Sequence, residues 1–93
     1  MQVEWDDRKA ELNYRKHGVS FEEATSAFDD DFAATLPDPD HSDDEERFLL
    51  FGVSAQGRLL VVAHAFRGDR IRLISARKAS AQERRIYEEE GIL

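Results

Sequence analysis

Residues 47–77 read RFLLFGVSAQGRLLVVAHAFRGDRIRLISAR, and this stretch decides the fold. Three segments in it are rich in β-branched and aromatic residues: 47–54, 58–67 and 70–77. The breaks between them are short and contain Gly57 and Gly68. Short glycine-containing breaks between such segments are typical of hairpin turns, so the stretch predicts a three-stranded antiparallel meander.

Two capping boxes mark helix starts on either side of the meander. In Ser20–Glu23 and in Ser80–Glu83 a serine precedes a glutamate by three residues. At this spacing each side chain can bond the backbone amide of the other residue. A third helix start lies at Asp6, and Gly18 supplies its stop. These signals predict helices near 7–17, 20–29 and 80–90.

The first two predicted helices each carry an apolar stripe. In the first helix the stripe recurs about every seven residues and indicates a narrow core-facing side made of Trp5, Leu12 and Val19, with Ala10 and Tyr14 nearby. In the second helix it consists of Phe21, Ala24 and Phe28.

Short strands are expected at Val3–Trp5 and at 32–36, and residues 37–46 are expected to form a loop because prolines and like charges oppose regular structure. The order is then β-α-α-β-β-β-β-α. It predicts an α+β fold, a small and mostly antiparallel sheet with packed helices, in one domain over 1–93.

Composition narrows the functional classes. The 93 residues include no cysteine, and no apolar run approaches the roughly 20 residues that span a bilayer, which predicts a cytoplasmic protein with no membrane partner. The net charge of −7 is uneven: residues 1–50 carry 5 basic and 15 acidic side chains, and residues 51–93 carry 8 and 5. The C-terminal half is therefore the candidate anion-binding part.

Arg77 is the main anion-binding candidate, because it ends a predicted strand just before the helix that starts near Ser80. Strict alternation would put Arg70 and Arg72 on one face of the sheet and Arg77 on the other, unless a bulge intervenes. The alternative is that these arginines only keep a sheet edge soluble.

His64, in the middle of a predicted strand, is a candidate acid or base, since imidazole titrates near neutral pH; a purely structural role is the alternative. His17 fits a helix end and His41 a loop. The acidic loop does not match a calcium loop, since Asp43 and Leu49 stand where glycine and glutamate are needed. With no zinc spacing or phosphate loop either, we expect no metal site and no cofactor.

Ordered motifs run through nearly the whole chain: Glu4-Trp5-Asp6, Lys16-His17-Gly18-Val19-Ser20-Phe21-Glu22-Glu23-Ala24, Glu46-Arg47-Phe48, Arg72-Leu73-Ile74-Ser75-Ala76-Arg77 and Glu83-Arg84. They resemble the BrnT family of bacterial type II toxins. The resemblance implies a RelE-like fold and a metal-independent endoribonuclease that inhibits translation, in which the RNA 2′-hydroxyl attacks the adjacent phosphate. It also implies neutralisation by a BrnA-like ribbon-helix-helix antitoxin, which alone would contact operator DNA.

Under this resemblance, Arg77 is expected to clamp the phosphate, Arg67 and Arg72 to support it, and His64 or Glu83 to move protons. Further RNA contacts are expected from Arg58, Arg70, Lys78, Arg84 and Tyr87. Structural alternatives stay open: a helix cap for Glu83, core packing for Tyr87, and ion pairs for Arg47 and Arg84.

The acidic segment 29–46, with nine acids and no base, is unusual for an RNA-binding protein and is expected to hold a basic part of the antitoxin. Neutralising Asp43, Asp44, Glu45 and Glu46 should then raise RNA affinity and slow antitoxin association. The competing functional class is a catalytically inactive interaction protein that acts as co-repressor with its antitoxin.

Overall fold

The structure, a computed structural model, describes residues 2–38 and 45–90. Its elements follow in the order β1 (Gln2–Glu4), α1 (Asp7–His17), α2 (Phe21–Ser26) with a 3-10 turn (Ala27–Asp29), β2 (Ala34–Pro37), β3 (Arg47–Val53), β4 (Leu59–Arg67), β5 (Arg70–Lys78) and α3 (Ala81–Glu90). This order and the α+β class confirm the prediction. Asp43 and Asp44, two of the four acids proposed for neutralisation, lie outside the described residues, as does His41.

The strands form one five-stranded sheet in the order β1-β5-β4-β3-β2. The predicted meander is confirmed, because β3, β4 and β5 pair antiparallel through hairpins. The first strand, β1, adds to the outer edge of β5 and runs parallel to it, with Gln2 opposite Arg70 and Glu4 opposite Arg72.

The two faces of the sheet carry separate apolar clusters. On the first face, α1 and α2 pack over a cluster that includes Val19, Phe21, Leu60 and Leu73. On the second face, α3 packs against β2 and β3, over Ala34, Phe51 and Val61. Since α3 contacts β2 and β3, the side chains of β5 on the second face lie beside this helix.

A β-bulge in β5 determines which side chains share the second face. Ala63 pairs with Ser75, but the next residue, His64, pairs with Leu73, so Ile74 is an extra residue. Because the extra residue reverses the alternation, Ile71, Leu73 and Ala76 all belong to the first-face cluster. Arg70, Arg72 and Arg77 therefore lie together on the second face, and the separation predicted by strict alternation is wrong.

The stripe predicted for α1 is partly wrong. Leu12 and Tyr14 are 56% and 59% exposed, whereas the polar Asn13 is buried. The Asn13 amide accepts from Ala76 N at 3.0 Å and donates to Ala76 O and to Val19 O at 2.9 Å each. β1 pairs with residues 70–72 of β5 and does not reach Ala76 on the same edge. The Asn13 side chain supplies the hydrogen-bond partners of the Ala76 backbone instead.

The second strand of the prediction is shifted. It spans Ala34–Pro37 rather than 32–36, and Pro37 was assigned to a loop. Proline is tolerated here because β2 is the outermost strand and its last residue needs no amide donor. No helix within the described ranges is long and apolar enough to cross a membrane.

Candidate nucleic-acid interface

The second face of the sheet carries a group of arginines on β3, β4 and β5. Pairing places Arg67 opposite Arg70, and places Ala65 between Arg47 on one neighbouring strand and Arg72 on the other. Arg77 pairs with Val61. Residues that are directly opposite across a sheet share a face. We call this surface the arginine face; it consists of Arg47, Arg67, Arg70, Arg72 and Arg77.

Arg77 already holds an internal anion. Its Nη1 and Nη2 donate to the two carboxylate oxygens of Glu83 at 2.7 and 2.8 Å. Glu83 Oε1 also accepts from Ser80 N at 2.9 Å, and Glu83 N donates to Ser80 Oγ, which confirms the predicted capping box. The Arg77 hydrogen bonds lower the pKa of Glu83 to about 2. The Glu83 carboxylate thus lies at the helix start where the sequence predicts a phosphate, although the Arg77 side chain stays 42% exposed.

The other arginines of the face differ in their partners. Arg72 bonds the carboxylate of Glu45 through Nη2, and the same carboxylate lies 3.8 Å from Arg47 Nε. Arg70 Nη1 lies 3.5 Å from Glu4 Oε1. Arg67 forms no ion pair with any residue in 2–38 or 45–90 and is exposed. An anion that binds Arg67 therefore does not have to displace a carboxylate of the described residues.

A cavity of about 290 Å³ adjoins Arg72 at the junction of β1, α1 and β5. Its walls combine two acidic side chains, two cations and apolar surface: Glu4, Asp6, Lys9, Arg72, Trp5 and Leu73. Arg72 belongs to the arginine face and also lines this cavity, so the two sites share one residue.

His64 does not lie on the arginine face. It is 1% exposed on the first face, with the rings of Phe28, Phe48 and Phe66 at 5.0, 6.1 and 5.6 Å between centroids. Its Nδ1 lies 3.1 Å from Val62 O. Burial lowers its pKa below the ordinary value. The structure thus separates this acid–base candidate from Arg77 by the thickness of the sheet.

Replacing His64 by leucine should flatten the pH dependence of stability between pH 7 and 5.5. Burial opposes protonation in the folded state, so below about pH 6.5 the unfolded state binds the extra proton and the wild type loses stability as pH falls. Urea unfolding at several pH values measures this slope. An unchanged slope in His64→Leu would contradict the assignment.

The remaining predicted RNA contacts are dispersed. Arg58 lies just before β4 and bonds both oxygens of the buried Glu23, with Nη2 also donating to Gly18 O at 3.0 Å. These contacts lower the pKa of Glu23, chiefly through the Arg58 hydrogen bond. Arg58 is therefore engaged on the side of α1 and α2, away from the arginine face.

Tyr87, Lys78 and Arg84 are not part of the arginine face. Tyr87 packs with the second-face cluster, and its hydroxyl donates to Asp30 Oδ2 at 2.8 Å, which anchors α3. Lys78 pairs with Leu60, so its register is that of the first face, and Arg84 is exposed on α3. Of the predicted RNA contacts, Arg70 belongs to the arginine face itself, and Tyr87 lies on the same side of the sheet but on α3.

The sequence predicts for Arg47 no role beyond a structural ion pair, and it places Glu45 only within the acidic segment expected to hold the antitoxin. The sequence signal that could have identified Arg47 is its position as a basic residue at the start of a predicted strand. The register that puts Arg47 beside Ala65 and Arg72 depends on hairpin geometry and could not be obtained from spacing alone.

A small α+β fold with an arginine face beside a capped helix has the geometry of an anion-binding surface. The sequence profile of the family described as "Ribonuclease toxin, BrnT, of type II toxin-antitoxin system" matches residues 5–83. The chain therefore belongs to the BrnT family of ribonuclease toxins, as the motifs indicated.

A solved structure supports the same assignment. The fold is similar to the crystal structure of the Brucella abortus ribonuclease toxin BrnT, with a TM-score of 0.59 and 27% sequence identity. The match covers 86% of this chain and 97% of the Brucella chain. The comparison with curated proteins finds no match.

Proposed function

We propose that this toxin is an endoribonuclease in which the RNA 2′-hydroxyl attacks the adjacent phosphate without a metal or cofactor, and that the cleavage inhibits translation. Membership of a ribonuclease toxin family supports the substrate and the reaction class. The single observation that carries the mechanism is the arginine face. Guanidinium groups fixed on strands can stabilise the negative charge that develops on the phosphate in the transition state.

The proposed roles follow from the contacts. Arg77 clamps the scissile phosphate with the part of its guanidinium that Glu83 leaves exposed, and Arg67 and Arg72 add positive charge. Glu83 is assigned to positioning Arg77 instead of to proton transfer, because a carboxyl with a pKa of about 2 is a weak base at neutral pH. His64 is left out of the reaction because it lies buried on the first face.

The proposed setting is the bacterial cytoplasm, where the substrate is RNA, either free or on the ribosome. The proposed partner is a ribbon-helix-helix antitoxin of the BrnA type, and operator DNA is bound only through that antitoxin. The internal carboxylates that pair with Arg77 and Arg72 also favour the second candidate, an inactive co-repressor, because they offset the cations that catalysis needs.

Cleavage of a short RNA by the purified toxin should proceed fully in EDTA and leave a 2′,3′-cyclic phosphate. The geometry supplies cations from the protein. Attack by the 2′-hydroxyl forms the bond from the 2′-oxygen to phosphorus while the bond from phosphorus to the 5′-oxygen breaks, which gives a cyclic phosphate and a free 5′-hydroxyl. The 2′-hydroxyl releases its proton to water, and the leaving 5′-oxygen takes a proton from water. Gel analysis of end-labelled RNA measures both. An otherwise identical oligonucleotide with 2′-deoxyribose at the cleaved nucleotide should stay intact.

Two outcomes would contradict the proposal. Loss of activity in EDTA with recovery on adding Mg²⁺ would refute metal independence. Absence of cleavage, together with operator binding that requires both toxin and antitoxin, would identify the protein as the co-repressor.

A further inference from the structure

We propose that Arg47 and Arg72 form a second phosphate-binding subsite and that the carboxylate of Glu45 occupies it in the free protein. RNA then binds there by replacing Glu45 with a backbone phosphate next to the one held by Arg77. The inference rests on the proposed function only in that RNA is taken as the ligand.

The first supporting observation is the placement of the two arginines. Arg47 on β3 and Arg72 on β5 flank Ala65 on β4, so a methyl group separates two long cationic side chains on the arginine face. A small residue between them leaves space above the sheet for one anion to reach both guanidinium groups. In the structure that anion is Glu45, which bonds Arg72 and lies 3.8 Å from Arg47 Nε.

The second observation is that this carboxylate leaves donors unsatisfied. The Nε atoms of Arg47 and of Arg72 are both shielded from solvent and have no hydrogen-bond acceptor among the described residues. Buried donors without an acceptor are rare because they lose their hydrogen bonds to water. A phosphate group offers more acceptor oxygens than a carboxylate and matches the planar guanidinium fork, so it can satisfy donors that Glu45 leaves unpaired.

The third observation is the contrast with Glu83. That side chain is tied by the capping box with Ser80 as well as by Arg77, and it belongs to α3. Glu45 precedes β3 outside any helix or strand, and the hydrogen bond and ion pairs of its side chain within the described ranges are with the two arginines. Glu45 is therefore the carboxylate that an incoming phosphate can replace without breaking a helix cap.

The test compares Glu45→Gln with Glu46→Gln, which removes the same charge one residue further along. Glu46 is exposed and forms no ion pair with the described chain, so it controls for general charge. The probe is a short RNA with 2′-O-methyl groups throughout, which binds but cannot be cleaved. Glu45→Gln should bind it roughly fivefold more tightly than Glu46→Gln, the effect of losing one partly exposed competing ion pair.

A further variant keeps the proposal falsifiable if Glu45→Gln perturbs the loop. Adding Arg47→Gln to Glu45→Gln should cancel the gain, whereas Arg15→Gln, on the exposed side of α1, should not. In the wild type, the Nε–H NMR signals of Arg47 and Arg72 should shift on adding the probe. Equal affinities for Glu45→Gln and Glu46→Gln, or a gain that survives loss of Arg47, would overturn the subsite.

The outcomes separate this subsite from the catalytic proposal. Tighter binding by Glu45→Gln in a protein that never cleaves RNA would refute the ribonuclease and keep the subsite. Normal cleavage by the wild type with equal affinities of the two glutamine variants would do the opposite.

Discussion

Arg77→Ala should lower RNA cleavage by about 100-fold or more and relieve the growth arrest caused by expression of the toxin without its antitoxin. The guanidinium of Arg77 is the cation of the arginine face that lies at a strand end beside the start of α3, and 42% of its side chain stays exposed to RNA. Cleavage rates on a short RNA and growth after induction measure the two effects.

The controls for Arg77→Ala address charge and folding. Arg15→Ala removes the same charge from an exposed position on α1, where Arg15 pairs with Glu11, and should leave cleavage unchanged. Arg77→Lys keeps the charge but loses the two-pronged contact, so it should recover only part of the activity. The alanine variant also frees Glu83, whose pKa should then rise from about 2 towards its ordinary value. Thermal unfolding of Arg77→Ala checks that the protein is folded, and equal cleavage by Arg77→Ala and Arg15→Ala would show that Arg77 is structural.

Local signals were sufficient to predict most of the fold. The helix starts depend on contacts over three residues, and the Asp6 cap and the Ser80–Glu83 capping box are present in the structure. At the second helix the Glu23 amide donates to Ser20 Oγ as predicted, but the Glu23 carboxylate bonds Ser54 and Arg58 instead of reaching back to the Ser20 amide. The hairpins depend on short breaks in which Gly57 and Gly68 adopt positive φ angles. Such interactions are encoded within a few residues, so they can be derived without knowing the tertiary arrangement.

The features that failed depend on contacts between distant residues. The side of α1 that faces the sheet includes the buried Asn13, which bonds Ala76, 63 residues away, and of the predicted stripe Trp5, Ala10 and Val19 pack at the core whereas Leu12 and Tyr14 are exposed. The face on which Arg77 lies depends on the extra residue Ile74, whose apolar side chain gives no sign of a bulge. The spacing of the arginines therefore predicts that β5 is cationic, but it does not predict which residues of the adjacent strands lie beside them.

The candidate site shows the same division. Arg77 and Glu83 are candidates from the sequence because both belong to the local strand-to-helix junction, only six residues apart. His64 was judged by its chemistry, although its position within β4 directs it to the opposite face from the arginines. Titration chemistry makes a residue a candidate, but strand register decides whether it can reach the substrate.

Asn13→Ala should lower the free energy of unfolding by about 3 kcal/mol, because it leaves buried backbone groups without partners. The Asn13 amide makes three hydrogen bonds, two with Ala76 and one with Val19, and it is only 7% exposed. Total stabilities of small domains are about 5–15 kcal/mol, so this loss is a large share of the stability. Chemical unfolding followed by circular dichroism measures it.

Two further variants test whether the loss of stability comes from the hydrogen bonds of Asn13. Leu12→Ala, at the adjacent position that the apolar stripe assigned to the core, should change the free energy of unfolding by less than about 0.5 kcal/mol because Leu12 is 56% exposed. Asn13→Asp keeps an acceptor for Ala76 N, but the ionised carboxylate loses both donated bonds and faces two carbonyl oxygens. The protonated carboxyl can donate one of these bonds, so this variant should fall between the wild type and alanine only at low pH. A larger loss for Leu12→Ala than for Asn13→Ala would show that α1 is held by its apolar stripe and not by the amide that closes the β5 edge.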